Sequence, residues 1–221
     1  MRATKEHTAV RRRQIVTTLL AIMAKEGVAG LSAAKVAARL GLVPSALYRH
    51  FKSKDAMLDA AIAQIAERLL QQVRRVRAAS PDPLRQLALL LDLHAAHLRE
   101  NQVIPHLIFS EELLLGPAAR RRKMYGYLRR YIAEMEQIIA QSCGRRDAAQ
   151  GATDPKTLSI MFMGLIQSAG IYWRLSGGKF DAAAYVRRAW GQFARLLTGS
   201  GAAPPQCAAR TIPLKQQGST L

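Results

Sequence analysis

At 221 residues with 49% hydrophobic content, the chain has enough apolar material for one large core or two smaller ones, which excludes general disorder. Its 33 Lys and Arg against 15 Asp and Glu leave a formal charge of +18, so the expected partner is a polyanion, either nucleic acid or an acidic membrane surface. The two cysteines, Cys143 and Cys207, stand far apart without metal-ligand spacing, which excludes a disulfide framework and suits a reducing compartment.

Half of the net charge lies in the first quarter of the chain. Residues 1–54 hold 11 basic and 2 acidic side chains, whereas residues 79–198 hold 16 and 10 over more than twice the length. The polyanion is therefore expected at the N-terminal quarter. The basic start, MRATKEHTAVRRRQ, runs into helix-patterned sequence with charges and not into the continuous apolar region of a signal peptide.

The first helix is predicted from Thr8 to Glu26, with Ile15, Leu19 and Ile22 on one face and Arg11, Arg12 and Arg13 near its start. Gly27 can take the left-handed cap position and let Val28 fold back on Met23. Ser32 is the N-cap of a second helix, flanked by Leu31 and Val36 as a hydrophobic staple, and that helix ends at Gly41. Pro44 suits the first turn of a third helix, whose inner face is Leu47, Tyr48 and Phe51. Ala37, Gly41 and Leu47 stand where two short helices can cross closely, the arrangement of a helix-turn-helix. Ser53 caps a fourth helix, which carries Met57, Leu58, Ile62, Ile65 and Leu69 and extends to about Val76.

Beyond Ser80, Pro81 and Pro83, leucines 84, 87, 91 and 98 mark a fifth helix, and a sixth is predicted over Val103–Leu115. The seventh follows Gly116 and Pro117 and runs to about Ser142; Arg120, Arg121, Arg122 and Lys123 near its start are expected to face solvent, with an anion site as the alternative. After a polar loop, Thr153 or Asp154 caps an eighth helix and Asp181 a last one, with Phe180 and Tyr185 as its staple. No strand pattern or internal repeat is visible.

The uncharged run Thr157–Trp173 has 17 residues, short of the roughly 20 that a membrane span needs, so no membrane partner is expected and the cytoplasm is the expected location. That run is apolar nearly all round, which predicts burial on both sides. Its neighbour carries Val186, Trp190, Phe193 and Leu197 at spacings of 4, 3 and 4, a heptad-like seam. A homodimer that pairs these two helices from each subunit would bury them through Leu165, Ile166, Ala169, Trp173, Val186, Trp190, Phe193 and Leu197; a purely intramolecular core is the alternative. The tail from about residue 201 to Leu221 has no apolar period and is expected to be disordered.

The run LGLVPSALYRHFKSKDAML, from Leu40 to Leu58, resembles the helix-turn-helix signature of the TetR family of bacterial transcriptional repressors, above all in Leu47, Tyr48, His50 and Phe51 followed by Lys52, Ser53, Lys54 and Asp55. The resemblance covers about 47 residues and is architectural beyond them. It implies an all-α homodimer with a three-helix DNA-binding domain at 8–68 (motif 32–51) and a larger effector-binding and dimerisation domain at 69–200. Its third helices would enter successive major grooves of a double-stranded, palindromic operator. Transferred onto this chain, the positions facing DNA are Pro44, Ser45, Ala46, Tyr48, Arg49 and His50, with Ser32 and Lys54 at helix N-termini that hold phosphates. Arg49 could reach a guanine edge with two hydrogen bonds, worth about 1–3 kcal/mol of discrimination. The chain departs from the family in having Val43, and no Ser or Thr, as cap of the recognition helix. Arg11, Arg12 and Arg13 fall where the first helix approaches the DNA backbone.

For a small-molecule effector, the candidates are His94, His97, Phe109, Glu111, Glu112, Tyr125, Tyr131 and Trp173. The i, i+3 spacing of His94 and His97 is weak support for a metal, so a lipophilic organic effector is preferred and no metal or cofactor is expected. The sequence thus predicts a ligand-responsive dimeric repressor. A non-specific architectural DNA-binding protein is the alternative. An enzyme is a distant third, since no phosphate loop, nucleophile elbow or metal-spaced cluster is visible.

Overall fold

The computed structural model of the chain describes residues 2–100, 110–143 and 154–198, and every regular element among them is an α-helix, as the sequence predicts. The helices are α1 (Arg2–Glu26), α2 (Ala33–Arg39), α3 (Pro44–Tyr48), α4 (Lys54–Ala79), α5 (Pro83–Glu100), α6 (Glu111–Leu114), α7 (Ala118–Cys143), α8 (Pro155–Leu175) and α9 (Ala182–Thr198). Most of the sixth helix predicted over Val103–Leu115, the 144–153 loop and the tail lie outside the described residues. By contact, the chain falls into two units, Met1–Gln71 with Arg99–Tyr131 and Gln72–Leu98 with Ile132–Leu221. No described helix is long and apolar enough to cross a membrane.

Two helix boundaries differ from expectation. α1 begins at Arg2 and not at Thr8, because residues 2–8 contain no Gly or Pro to stop it and several good helix formers. α4 runs to Ala79 and ends only where Pro81 excludes the helical conformation of Ser80.

In the first unit, Ile15, Leu19, Ile22 and Met23 of α1 form a buried stripe that meets Val36 and Ala37 of α2, Leu47 of α3, Phe51, and Met57, Leu58 and Ile62 of α4. Leu113 of α6 joins the same core. Each such side chain contributes about 1.5–3 kcal/mol by leaving water. α1 ends as expected: Gly27, at φ 73°, donates its N–H to the Met23 carbonyl at 3.0 Å, and Val28 is buried.

In the second unit, α8 and α9 pack together around Phe162, Trp190 and Phe193. The Phe162 and Trp190 rings meet edge to face at 6.4 Å, and Phe162 lies 5.7 Å from Phe193. Asp154 caps α8, accepting from Lys156 and Thr157, and Asp181 caps α9 through the Ala184 N–H, with the Phe180 and Tyr185 rings 5.6 Å apart as the staple. The heptad-like seam is assigned differently from its prediction. Val186, Trp190, Phe193 and Leu197 are buried within the single chain, as is Ala169, so these side chains are not available to a second subunit. The outward face of α8 carries Ile160, Met161, Ile171, Tyr172 and Leu175, all exposed, so the run expected to be buried on both sides is buried on one. Leu165, Ile166 and Trp173 are half-buried.

Candidate nucleic-acid interface

The Ser32–Lys54 stretch folds as two short helices joined by a turn that its own residues dictate. Ser32 is extended (φ −134°, ψ 152°) and its Oγ accepts from the Lys35 N–H at 3.2 Å, while Leu31 and Val36 are buried on either side of the cap. At the far end, Gly41 takes φ 64° and the Leu42 N–H turns back to the Ala37 carbonyl at 2.9 Å. A side chain at Gly41 would find open space, so the glycine is required for its left-handed backbone and not for room. Val43 supplies no side-chain cap, and Pro44 starts α3 where its missing N–H costs nothing.

α3 is divided cleanly between core and solvent. Leu47 and the following Phe51 are buried, whereas Pro44, Ser45, Tyr48 and Arg49 are exposed and Ala46 and His50 half-buried. Tyr48 therefore belongs to the outward face and not, as its spacing suggested, to the inner one. Its phenol, the Ser45 hydroxyl and the Arg49 guanidinium share that face with Val43, which is 64% exposed. Lys52 and Lys54 are exposed beside it, Lys54 as the first residue of α4, whose N-terminus Ser53 caps through the Ala56 N–H at 3.1 Å. None of Arg13, Arg49, Lys52 and Lys54 has an ion-pair partner among the described residues. Lys35 and Arg39 do, at 2.6 and 3.6 Å from Glu26; the Lys35 hydrogen bond in particular holds that carboxyl below its ordinary range.

Arg12 has a role that residue type alone does not reveal. Its guanidinium donates to the His50 carbonyl at the end of the recognition segment and lies 4.1 Å from the centre of the Phe51 ring. It thus ties α1 to the end of the α3 segment while its side chain stays exposed. The signal was present in spacing, since Arg12 precedes Ile15 by three residues and Leu19 by seven and so shares their face. His50 turns its Nδ1 inward, where it meets no hydrogen-bond partner.

A second charged cluster lies in the same unit. Arg120, expected in solvent, is only 4% exposed: its guanidinium binds Asp55 and Asp59 of α4, the latter at 2.9 Å, and Lys123 adds a contact to Asp59 at 2.6 Å. Burial alone would push the Asp59 carboxyl up, but the hydrogen bonds from Lys123 and Arg120 hold it below its ordinary range. Arg121, Arg122 and Lys123 are exposed as expected, and Arg120 alone leaves the solvated face, because two carboxylates one turn apart on α4 face it.

The effector candidates do not share one surface. His94 and Tyr131 are buried, burial raising the Tyr131 phenol above its ordinary range; Glu112 and Trp173 are half-buried; Glu111 and Tyr125 face solvent and not an enclosed cavity. The His97 side chain and Phe109 lie outside the described residues. Among the described residues, no three His, Cys, Asp or Glu gather as a metal site would require.

With this geometry in place, residues 15–61 match the family described as bacterial regulatory proteins, tetR family. Residues 15–61 are thus the DNA-binding domain of tetR-family transcriptional regulators. The regulator is 28% identical over 172 residues to the nucleoid occlusion factor SlmA of Aliivibrio fischeri, a span covering 77% of this chain and 86% of that one. Its identity to SlmA of Vibrio vulnificus is 25% over 160 residues, 72% and 81% of the two chains. Among solved structures, FadR from Bacillus subtilis in complex with stearoyl-CoA superposes with a TM-score of 0.68 at 19% identity, covering 82% of the regulator and 97% of FadR. A TetR-family transcriptional regulator from Bordetella parapertussis superposes with a TM-score of 0.61 at 23% identity, covering 82% and 93%. These structural likenesses show a common fold.

Proposed function

We propose that this regulator is a homodimeric, cytoplasmic repressor that holds a palindromic operator through two copies of α3 and is released from it by a lipophilic organic effector. The observation that carries the reading is the division of α3: Ser45, Tyr48 and Arg49 stand outward on a helix that Leu47 and Phe51 hold against the core. Arg49 reads a base edge, while Ser32, Tyr48, His50 and Lys54 contact phosphates. The DNA-binding domain is taken as residues 8–68 and the effector-binding and dimerisation domain as 69–200.

Pairing of subunits is assigned to the outward face of α8 with Leu196 of α9, where exposed apolar side chains surround Gly164 and leave open space above it. Half-buried Leu165 borders that face, whereas Ile166 and Trp173 share the helical side of buried Phe162 and Ala169. A lipophilic effector is supported by the fold shared with FadR, whose structure contains stearoyl-CoA. His94 and Trp173 of the second unit are the candidate contacts. α4 is one continuous helix with residues in both units, so it is the element through which an effector would alter the separation of the two α3 helices from the roughly 34–36 Å of one DNA turn.

The test is a footprint on DNA flanking the regulator's own gene, with and without added acyl-CoA. A protected palindrome lost on titration with the acyl-CoA is expected. The relation to nucleoid occlusion factors and the +18 charge favour a second reading, a chromosome-bound protein without an effector. Binding that depends only on duplex length and collapses steeply with salt would replace the operator reading with a non-specific DNA coat.

A further inference from the structure

We infer that the outward strip running from α6 onto the first three turns of α7 docks an acidic, partly apolar peptide segment of another protein. α7 buries Met124, Tyr127 and Arg120 on its inner side, and the opposite side presents Arg121, Arg122, Tyr125, Arg129 and Arg130, all exposed. Arg121 donates to the Gly116 carbonyl, which places its guanidinium beside Leu114 and Leu115, 57% and 78% exposed. That turn is tight: a side chain at Gly116 would sit 2.0 Å from the Glu112 carbonyl oxygen. Arg129 in turn stands 6.0 Å from the Tyr125 ring centre, so a cation and an aromatic ring meet one turn further along the same helix.

Three properties separate this strip from an ordinary solvated helix face. From Leu113 to Ala133 there is no acidic residue, whereas solvated faces interleave both signs. Asp55 and Asp59 are committed to Arg120 and Lys123 and Glu134 to Arg77, and the four strip arginines pair with neither these carboxylates nor Glu111 and Glu112 of α6 among the described residues. Cations near a helix N-terminus also oppose its dipole, so Arg122 gains nothing from the helix that would explain it, whereas Arg121 is accounted for in part by its bond to the Gly116 carbonyl.

Composition chooses the occupant. A phosphate backbone would use the arginines but leave Leu114, Leu115 and Tyr125 uncovered. A peptide with carboxylates beside an apolar side chain matches all of them, and Arg and Tyr are the side chains that carry most binding energy at protein interfaces. Arg122 and Arg129 lie two turns apart on one face, about 10 Å along the axis, which sets the carboxylate spacing.

The experiment is fluorescence anisotropy on the full-length protein with labelled synthetic peptides of about 12 residues, which span such a strip when extended. One alternates Glu and Leu and the other has every Glu replaced by Gln. The acidic peptide is expected to bind and the Gln peptide to bind at least about tenfold more weakly. The double variant Arg122→Glu with Arg129→Glu should lose at least about tenfold for the acidic peptide while its affinity for a DNA duplex stays within about twofold. Leu115→Ser should cost about threefold. Unchanged peptide affinity in the double variant overturns the inference, because the peptide then sits on the recognition segment or elsewhere. An equal loss of duplex binding also overturns it, making the strip a nucleic-acid surface. So does a fall from dimer to monomer in Leu114→Ser with Leu115→Ser, which makes the occupant a second copy.

Discussion

Replacing Arg120 by Met keeps most of the aliphatic stem and removes the guanidinium that joins α7 to the first two turns of α4. The arginine is 4% exposed, but its partners are not equally enclosed: Asp55 is 67% exposed and Asp59 25%. A charge-assisted hydrogen bond is worth about 1.5–3 kcal/mol when sheltered and about 0–1 at the surface. The Asp59 contact belongs nearer the first range and the Asp55 contact to the second, so Arg120→Met should destabilise by about 2–3 kcal/mol. That is less than the 3–5 expected when a lone charge is stranded in a core, because Lys123 still neutralises Asp59. Urea unfolding followed by far-UV circular dichroism measures the loss, and cycles with Asp59→Asn and Asp55→Asn apportion it. The coupling should be about 1–2 kcal/mol with Asp59 and below 1 with Asp55. The folded-state pKa of Asp59 is depressed, so its contribution is complete above the unfolded value of about 3.9 and is lost as pH falls through the folded value. Coupling with Asp59 must therefore shrink from pH 6 towards pH 3. A larger coupling with Asp55, or one with Asp59 that pH leaves untouched, refutes the assignment.

At the DNA face, Arg49→Ala should lower operator affinity by about 1–3 kcal/mol while leaving random-sequence affinity and urea midpoint nearly unchanged; equal losses on both DNAs would make Arg49 a phosphate contact. Lys54→Ala should weaken both DNAs alike and reduce the salt slope by about one, read in titrations at several salt concentrations. Arg12→Leu should cost about 1–2 kcal/mol of stability, seen in the same urea assay, and weaken operator binding through the loosened recognition segment. On α8, Tyr172→Arg should yield monomers by sedimentation with the fold intact, whereas Phe193→Ala should destabilise each chain by about 3–5 kcal/mol; the reverse pattern would return the interface to the α9 seam.

The helix-turn-helix was legible because its determinants are local. Ser32, Gly27, Gly41, Pro44, Asp154 and Asp181 each act on backbone within a few residues, and each is found at the cap or turn its chemistry implies. Arg120 was not legible, because its burial depends on Asp55 and Asp59, more than sixty positions away, which no spacing within α7 announces. Arg12 lies between these cases: the face it occupies follows from its spacing to Ile15, but its contact with His50 needs the tertiary fold.

The α9 seam shows why periodicity identifies a buried face without saying what buries it. Val186, Trp190, Phe193 and Leu197 have the repeat of a helix packed on helices, and Phe162 of the same chain already fills the space between Trp190 and Phe193. The amphipathic helix is thus satisfied internally, and it is the uniformly apolar one that is left with a surplus. α8 needs only Leu158, Phe162 and Ala169 to pack inward, yet it still carries Ile160, Met161, Ile171, Tyr172 and Leu175 on the other side. A second face of that size is a cost in water unless a partner covers it. The pairing face of the proposed dimer is therefore expected where apolar residues exceed what the chain's own core requires, and not at the strongest repeat.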